Sequence, residues 1–146
     1  MGKINIGRVV TGGLLAGVVI NALEFLLNEP ILGGQWSDAM VALGLEEPSG
    51  MTLLWYVIWG FVLGIGIVWI YAAIRPRFGP GPKTAVTAGL AVWFLIWFLG
   101  FGATVLSGMF PTGLVLVTLV WELFEVPIAA VAGAWLYKEE GAAAAT

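Results

Sequence analysis

Four long apolar segments, separated by stretches rich in glycine and proline, constrain this chain more than any other feature. They cover about residues 9–27, 51–74, 84–106 and 113–137. Each reaches the roughly 20 mostly apolar residues that a helix needs to cross a bilayer. The chain is 60% apolar and only 10% charged, whereas a soluble domain carries about 25% charged residues. The sequence therefore predicts an all-α fold, an integral membrane bundle of four transmembrane helices.

The four segments belong to one predicted domain over residues 1–140, and residues 141–146 form a low-complexity tail. The first segment runs into Asn28-Glu29-Pro30 without a small-residue cleavage site. We therefore interpret it as a membrane helix rather than a secretory signal.

The positions of the cations predict the orientation of the bundle. Lysine and arginine occur only before the first segment, between the second and third, and after the fourth: Lys3, Arg8, Arg75, Arg77, Lys83 and Lys138. Cytoplasmic loops of membrane proteins carry an excess of these residues. With an even number of spans, both termini are predicted to be cytoplasmic.

The first outer loop is less uniform than a linker. Ser37 can cap a short helix that stops at Gly44. Its apolar residues at helical spacing are Trp36, Met40, Val41 and Leu43. We predict a short amphipathic segment here, with a plain exposed loop as the alternative.

Matching stretches indicate an internal repeat. Residues 10–14 and 86–90 open the first and third segments with similar sequences, and the second and fourth segments close with Trp69-Ile70-Tyr71 and Trp135-Leu136-Tyr137. Two helical hairpins in parallel orientation would explain the match, and coincidence within a small apolar alphabet is the alternative. The same aromatic residues are typical of anchors at a membrane interface.

Small residues recur at a spacing of four, which lets helix backbones approach closely in lipid. The pairs are Gly13/Gly17, Gly60/Gly64, Ala85/Gly89 and Ala129/Gly133. Packing within one bundle can use all of them, and the interface of a homo-oligomer is the alternative.

Three acidic residues lie inside the apolar segments: Glu24, Glu122 and Glu125. An acid at the centre of a membrane helix costs at least about 2.5–3.5 kcal/mol, so we expect these side chains to face the bundle. At 1.5 Å per residue, Glu122 and Glu125 lie near mid-membrane, whereas Glu24 is close enough to the outer end to extend outward. Because the segments contain no lysine or arginine, a proton or a bound cation must balance the charge.

Polar residues accompany the acids at helical spacing. Asn21 lies three residues before Glu24, and Thr118 lies four residues before Glu122, so each pair shares a helix face. Together with Glu125, these residues are the candidate site for a proton, a cation or a ligand. Oxygen ligands suit Na⁺, Ca²⁺, Mg²⁺ or Mn²⁺, and the sequence does not specify which. The alternative is that the acids only hydrogen-bond to buried groups and hold the helices together.

Aromatic residues form a second candidate site. Trp93, Trp97 and Phe101 follow an i, i+4, i+8 spacing, and with Trp121 they can line a pocket for a hydrophobic ligand such as a quinone, lipid or pigment. Side-chain packing is the alternative. No other cofactor is predicted, since a chain without His or Cys lacks the usual ligands of haem, iron–sulfur clusters and zinc.

Three short motifs carry a resemblance to a known family. They are Leu-Gly-Gly-Gln-Trp at residues 32–36, the aromatic stretch 89–101, and Ala-Gly-Ala-Trp at residues 132–135. This layout resembles that of short bacterial proteins with four membrane helices, catalogued only as a domain of unknown function. The pair Glu122 and Glu125 is not part of that layout. The resemblance implies a multi-pass protein of the bacterial inner (cytoplasmic) membrane and implies no activity.

Two functions agree with these observations. The first is a non-enzymatic protein that packs as a homo-oligomer or serves as an accessory, structural subunit beside other membrane subunits in the lipid bilayer. The second is a proton- or cation-linked transporter, or a binding protein for a small hydrophobic ligand, that uses the intramembrane carboxylates. Enzymatic activity is disfavoured because no serine lies beside a base, and six scattered cations give no surface for a nucleic acid.

Overall fold

The structure, a computed structural model, describes residues 3–46 and 48–139. Over these residues it is helical, without a β-strand. Four helical stretches are long and apolar enough to cross a membrane: Ile6–Ile31, Gly50–Phe78, Pro82–Leu106 and Thr112–Leu136. The predicted all-α class with four membrane-length helices is confirmed, and the tail 141–146 lies outside the described residues.

Six α-helices and two π-helical segments build these stretches and the first outer loop. In chain order the α-helices are α1 (Ile6–Leu26), α2 (Gly33–Ala42), α3 (Gly50–Phe78), α4 (Pro82–Trp93), α5 (Ala103–Leu106) and α6 (Thr112–Leu136). The π-helical segment Leu27–Ile31 extends α1, and Phe94–Phe101 extends α4. A π-helix has a wider turn than an α-helix, so side-chain spacing changes along the first and third spans.

Pro30 and Pro76 lie beyond the predicted ends of the first and second segments, and neither of them ends a helix. Pro30 lies inside the π-helical segment of the first span. Pro76 lies inside α3, which continues to Phe78 and ends before Gly79 at a φ of 82°. Proline close to a helix end removes a single backbone hydrogen bond, whereas a positive φ is a conformation that glycine adopts readily. The first and second spans are therefore longer than predicted.

The predicted amphipathic segment of the first outer loop is α2, with a different start. It begins at Gly33, so Ser37 lies within the helix and is not its N-cap. It stops before Gly44, whose φ is 70°, as predicted. Its apolar side is narrower than expected, because Val41 and Leu43 are exposed.

Contacts between small residues bring the helix backbones together. A Cβ added at Gly13 would come within 3.0 Å of the backbone of Ile65 in α3, and one at Gly64 would meet the backbone of Gly13 equally closely. A Cβ at Gly12 would likewise meet the backbone of Gly133 in α6. All eight residues of the predicted small-residue pairs are buried. Packing within one bundle therefore uses them, and they give no argument for an oligomer.

The end of the bundle that carries the described lysines and arginines, called the cation end below, is tightly closed. Only residues 79–81 separate α3 from α4. Arg75 forms an ion pair with Glu139 at 3.0 Å, and its guanidinium carbon lies 5.7 Å from the centre of the Tyr137 ring. These contacts join the C-terminal ends of the second and fourth spans.

Tyr71 and Tyr137, two of the predicted interface aromatics, are buried against other parts of the chain at this end. Their rings meet edge to face with centroids 5.9 Å apart. The hydroxyl of Tyr71 accepts a hydrogen bond from the N–H of Gly81 at 3.1 Å, and that of Tyr137 accepts one from the N–H of Asn5 at 3.4 Å. The neighbouring indole of Trp135 is exposed, as expected of an anchor.

Candidate carboxylate site within the bundle

Glu24, Glu122 and Glu125 come together where α1 packs against α6, and we call them the acid cluster. One carboxylate oxygen from each lies within 4.8 Å of the other two. Glu122 is 1% exposed and Glu125 is 2% exposed, while Glu24 is partly buried. Helical spacing places Glu122 and Glu125 one turn apart on the buried side of α6. The structure thus brings together the three intramembrane acids of the sequence.

Glu24 lies deeper in the first span than predicted, next to the two acids of α6. That span ends at Ile31, seven residues beyond Glu24, which corresponds to about 10 Å at 1.5 Å per residue. The carboxylate of Glu24 accepts a hydrogen bond from the side-chain amide of Asn28. The same amide donates to the backbone carbonyl of Glu24 at 3.0 Å. Glu24 therefore contacts the other acids instead of extending outward.

Hydrogen bonding leaves part of the acid cluster without donors. The indole N–H of Trp121 donates to Oε2 of Glu125 at 2.7 Å. Both carboxylate oxygens of Glu122 and Oε1 of Glu125 are buried without a hydrogen-bond partner among the described residues. The indole of Trp97 in the third span and the carboxyl group of Glu24 interact electrostatically with the carboxyl group of Glu122. A buried acceptor without a donor costs about 1–3 kcal/mol, so these oxygens destabilise the empty site.

The two donors with full hydrogen-bonding geometry to the acids each come from the same helix as the acid itself, whereas Trp97 of the third span interacts with Glu122 from another helix. Trp121 lies one turn from Glu125 on α6, and Asn28 lies one turn from Glu24 in the first span. These bonds orient the carboxylates of Glu24 and Glu125, but they do not join one helix to another. Contact between α1 and α6 at this point therefore places acid against acid.

The cations of the described chain lie far from the acid cluster. Glu122 is 14 residues from Leu136, the last residue of α6, a separation of about 20 Å along the helix axis. Arg75, at the same end as Leu136, is already paired with Glu139. The charge of the acid cluster is therefore not balanced by a lysine or arginine of the described residues.

The other two predicted polar site residues bond elsewhere. The side-chain amide of Asn21 donates to the carbonyls of Gly17 at 2.8 Å and Val57 at 3.2 Å, which links α1 to α3. The hydroxyl of Thr118 donates to the carbonyl of Leu114 at 3.0 Å, one turn earlier on α6. These donors are thus engaged away from the acids, although both residues share helices with them.

The predicted aromatic stripe is divided among different surroundings. The indole N–H of Trp93 donates to a backbone carbonyl of α6 at 3.0 Å, whereas Trp97 acts on Glu122. Phe101 packs against Trp36 with ring centroids 6.0 Å apart. The third span is π-helical from residue 94 to residue 101. The three side chains thus contact different parts of the bundle, and their common pocket for a hydrophobic ligand stays a prediction.

A groove of about 540 Å³ lies along α6 beside the acid cluster, and sequence reasoning missed it. Leu23 of α1 and seven residues of α6 line this lateral groove, with Trp121 and Glu125 among them. Val120 and Phe124 on its walls are 57% and 62% exposed, so in a membrane this opening faces the lipid tails. Both the side of α6 that faces the bundle and the side that faces outward are apolar. The sequence pattern therefore gave no signal for the lateral groove.

No protein-family model, curated protein or solved structure matches this chain. The resemblance to short bacterial proteins with four membrane helices therefore stays a prediction based on its motifs. The chemistry available to the site follows from its own side chains. Three carboxylates can hold protons or give a cation oxygen ligands.

Proposed function

We propose that this protein binds a proton or a cation at the acid cluster, as a proton- or cation-linked transporter or binding protein of the membrane. One observation carries the proposal: Glu24, Glu122 and Glu125 lie within 4.8 Å of one another without a lysine or arginine near them. A bundle that only needed to pack would gain nothing from this arrangement, because buried acids without partners are costly.

The size of the repulsion supports a bound positive charge. At an effective dielectric constant of about 20, two like charges at 4.8 Å repel by about 3 kcal/mol. Three fully ionised acids form three such pairs, or roughly 10 kcal/mol, which rivals the whole stability of a typical domain, about 5–15 kcal/mol. Protons or a cation must therefore occupy the site in the folded protein.

A non-enzymatic packing or accessory subunit is the second candidate function. The close backbone contacts at Gly12, Gly13 and Gly64 favour it, because they are typical of tightly packed membrane helices. Those contacts lie within one chain, however, and only Trp97 of the third span and the like-charged Glu24 reach Glu122 from other helices, while the bonds from Asn28 and Trp121 stay within single helices. Tight packing therefore explains the small residues and leaves the acids unexplained.

The proposal includes a bacterial inner-membrane location with both termini in the cytoplasm. All the described cations lie at one end of the bundle, and such residues are enriched in cytoplasmic loops. The four membrane-length helices agree with a multi-pass protein. The lipid bilayer is then the first partner of the chain, and no nucleic acid is proposed.

We also propose that the two hairpins are a parallel repeat, with the pair α1 and α3 corresponding to the pair α4 and α6. Matching contacts at the cation end support this. Asn5 and Gly81 each precede the first helix of a hairpin, and their N–H groups donate to Tyr137 and Tyr71 respectively. The matching sequence motifs and the matching contacts both support a repeat.

Infrared spectroscopy of the protein in lipid nanodiscs tests the function. We expect the wild-type chain to show a band from a protonated carboxyl group that falls when the pH rises or a cation is added. Glu122→Gln is expected to remove that response. Asp38→Asn, at an exposed acid of α2, is the matched control and leaves it unchanged. An identical response in wild type and Glu122→Gln would contradict the proposal.

A further inference from the structure

We propose that the ligand of the acid cluster is a primary amine with an apolar body, bound as its ammonium cation after entering from the bilayer through the lateral groove. This inference rests on the proposed function and specifies its substrate class. It depends on two observations: the shape and lining of the groove, and the number of carboxylate oxygens without donors.

The lateral groove suits an apolar molecule that approaches from the lipid. Its volume of about 540 Å³ falls within the roughly 300–1,000 Å³ of small-molecule sites. Glu125 is the charged residue of its lining, and Val120 and Phe124 belong to its apolar walls. A hydrated inorganic cation would have to lose its water along these walls, whereas an alkyl chain gains by burial there.

The acid cluster supplies the complementary charge and acceptors. Oε1 and Oε2 of Glu122 and Oε1 of Glu125 are buried without donors, and Glu122 is only 1% exposed. An ammonium group offers three N–H donors and no acceptor. The three unpaired oxygens therefore match a primary ammonium group in number and in charge, which a neutral ligand such as an alcohol does not.

Proton exchange follows from charge balance. When the ammonium cation enters a cluster that holds protons, a carboxyl group gives a proton to the solvent and its carboxylate pairs with the cation. No bond other than O–H is broken and no electron is transferred. Binding of the amine and release of a proton are therefore linked, and acid conditions weaken binding by protonating the carboxylates.

Calorimetry in zwitterionic nanodiscs tests the inference, with octylamine as the probe and 1-octanol as its uncharged counterpart. Empty nanodiscs supply the blank for partitioning into lipid. We expect saturable binding of octylamine to the wild-type chain, no saturable binding of octanol, and heats that vary with the buffer because a proton is released. Glu125→Gln is expected to weaken octylamine binding at least tenfold.

Filling the lateral groove tests the route. Val120→Trp is expected to weaken octylamine binding at least tenfold while leaving the infrared response of the acid cluster intact. Val62→Trp is the matched control, since Val62 is 48% exposed on α3 outside the groove, and we expect it to bind as the wild type does.

Several results would overturn the inference. Equal binding of octanol would assign the groove to an apolar or lipid ligand, and equal binding by Val120→Trp and Val62→Trp would exclude the groove as the route. A change of oligomeric state in Val120→Trp with octylamine binding retained would assign the groove to a second copy of the chain. If octylamine fails to bind while Glu122 still responds to Na⁺ or pH, the inference is wrong and the proposed function stands. If Glu122 responds to neither, both are wrong.

Discussion

The contact between α1 and α6 differs sharply between its two halves. Toward the cation end, Gly12 and Gly133 bring the backbones together, and the hydroxyl of Tyr137 accepts a hydrogen bond from the start of α1. In the other half, Glu24 faces the two acids of α6, and three of the acids' buried oxygens have no donor. The half of this contact at the cation end therefore stabilises the fold. The half that contains the acid cluster destabilises the protein as long as no proton or cation is bound there.

The proposed topology assigns the cation end to the cytoplasmic side, so the largest expected difference between the two ends is their accessibility from outside the cell. The chain contains no cysteine, so single cysteines report their own position. We expect Pro80→Cys, between α3 and α4, to be protected from an impermeant thiol reagent added to intact cells, and Leu45→Cys, beyond α2, to be labelled. Labelling of Pro80→Cys from outside would place the cation end in the periplasm and contradict the proposed topology.

A methyl group at the closest helix contact is expected to have the largest effect on stability. Gly64→Ala places a Cβ against the backbone of α1, and such overpacking lowers the free energy of unfolding by about 3 kcal/mol. Gly66→Ala is the control on the same helix, because a Cβ there has open space. Thermal unfolding in detergent, followed by circular dichroism, measures the difference, and equal melting of both variants would show that the helices do not approach as described.

Removing an acid is expected to have the opposite sign. Glu122→Leu eliminates two buried oxygens without donors, so we expect the free energy of unfolding of the ligand-free protein to rise by about 2 kcal/mol. The same variant is expected to lose octylamine binding. A protein that is destabilised by this substitution uses Glu122 for packing, which would favour the accessory-subunit function over cation binding.

The hydroxyl of a buried tyrosine at the cation end is expected to contribute least to the free energy of unfolding. Tyr137→Phe removes the acceptor of the Asn5 N–H, and we expect a loss of about 1 kcal/mol in the free energy of unfolding. Tyr71→Phe removes the equivalent acceptor of Gly81 and is expected to match it if the hairpins are a repeat. Tyr56→Phe, at an exposed tyrosine, is the control without effect. Clearly unequal losses for the two buried tyrosines would argue against the repeat.

Much of the fold follows from the sequence, because a membrane selects for long apolar helices in a way that hydropathy detects. The four membrane-length helices and the two buried acids of α6 were predictable for that reason. The ends of the helices were not, because Pro30 and Pro76 lie within helices where a turn was expected. Because the end of the first span was misplaced, the depth of Glu24 was predicted to be too shallow.

Other features of the site depend on which side of a helix faces its neighbours. In a soluble helix the polar side marks the surface, but lipid and protein interior are both apolar, so Val120 and Phe124 carry no such mark. Spacing arguments also fail where the helix type changes. The third span is π-helical at Trp97 and Phe101, which shifts the relation of these side chains to those of α4 from that of a regular α-helix.

The short connection at residues 79–81 has a mechanical consequence. Together with the edge-to-face contact of the Tyr71 and Tyr137 rings it joins both hairpins at the cation end, so any rocking of one hairpin against the other has its pivot there. In a rotation about a pivot, the displacement of a residue grows with its distance from the pivot. The acid cluster lies about 20 Å along α6 from that end. A small tilt of one hairpin therefore changes the gap between α1 and α6 most strongly near the acids.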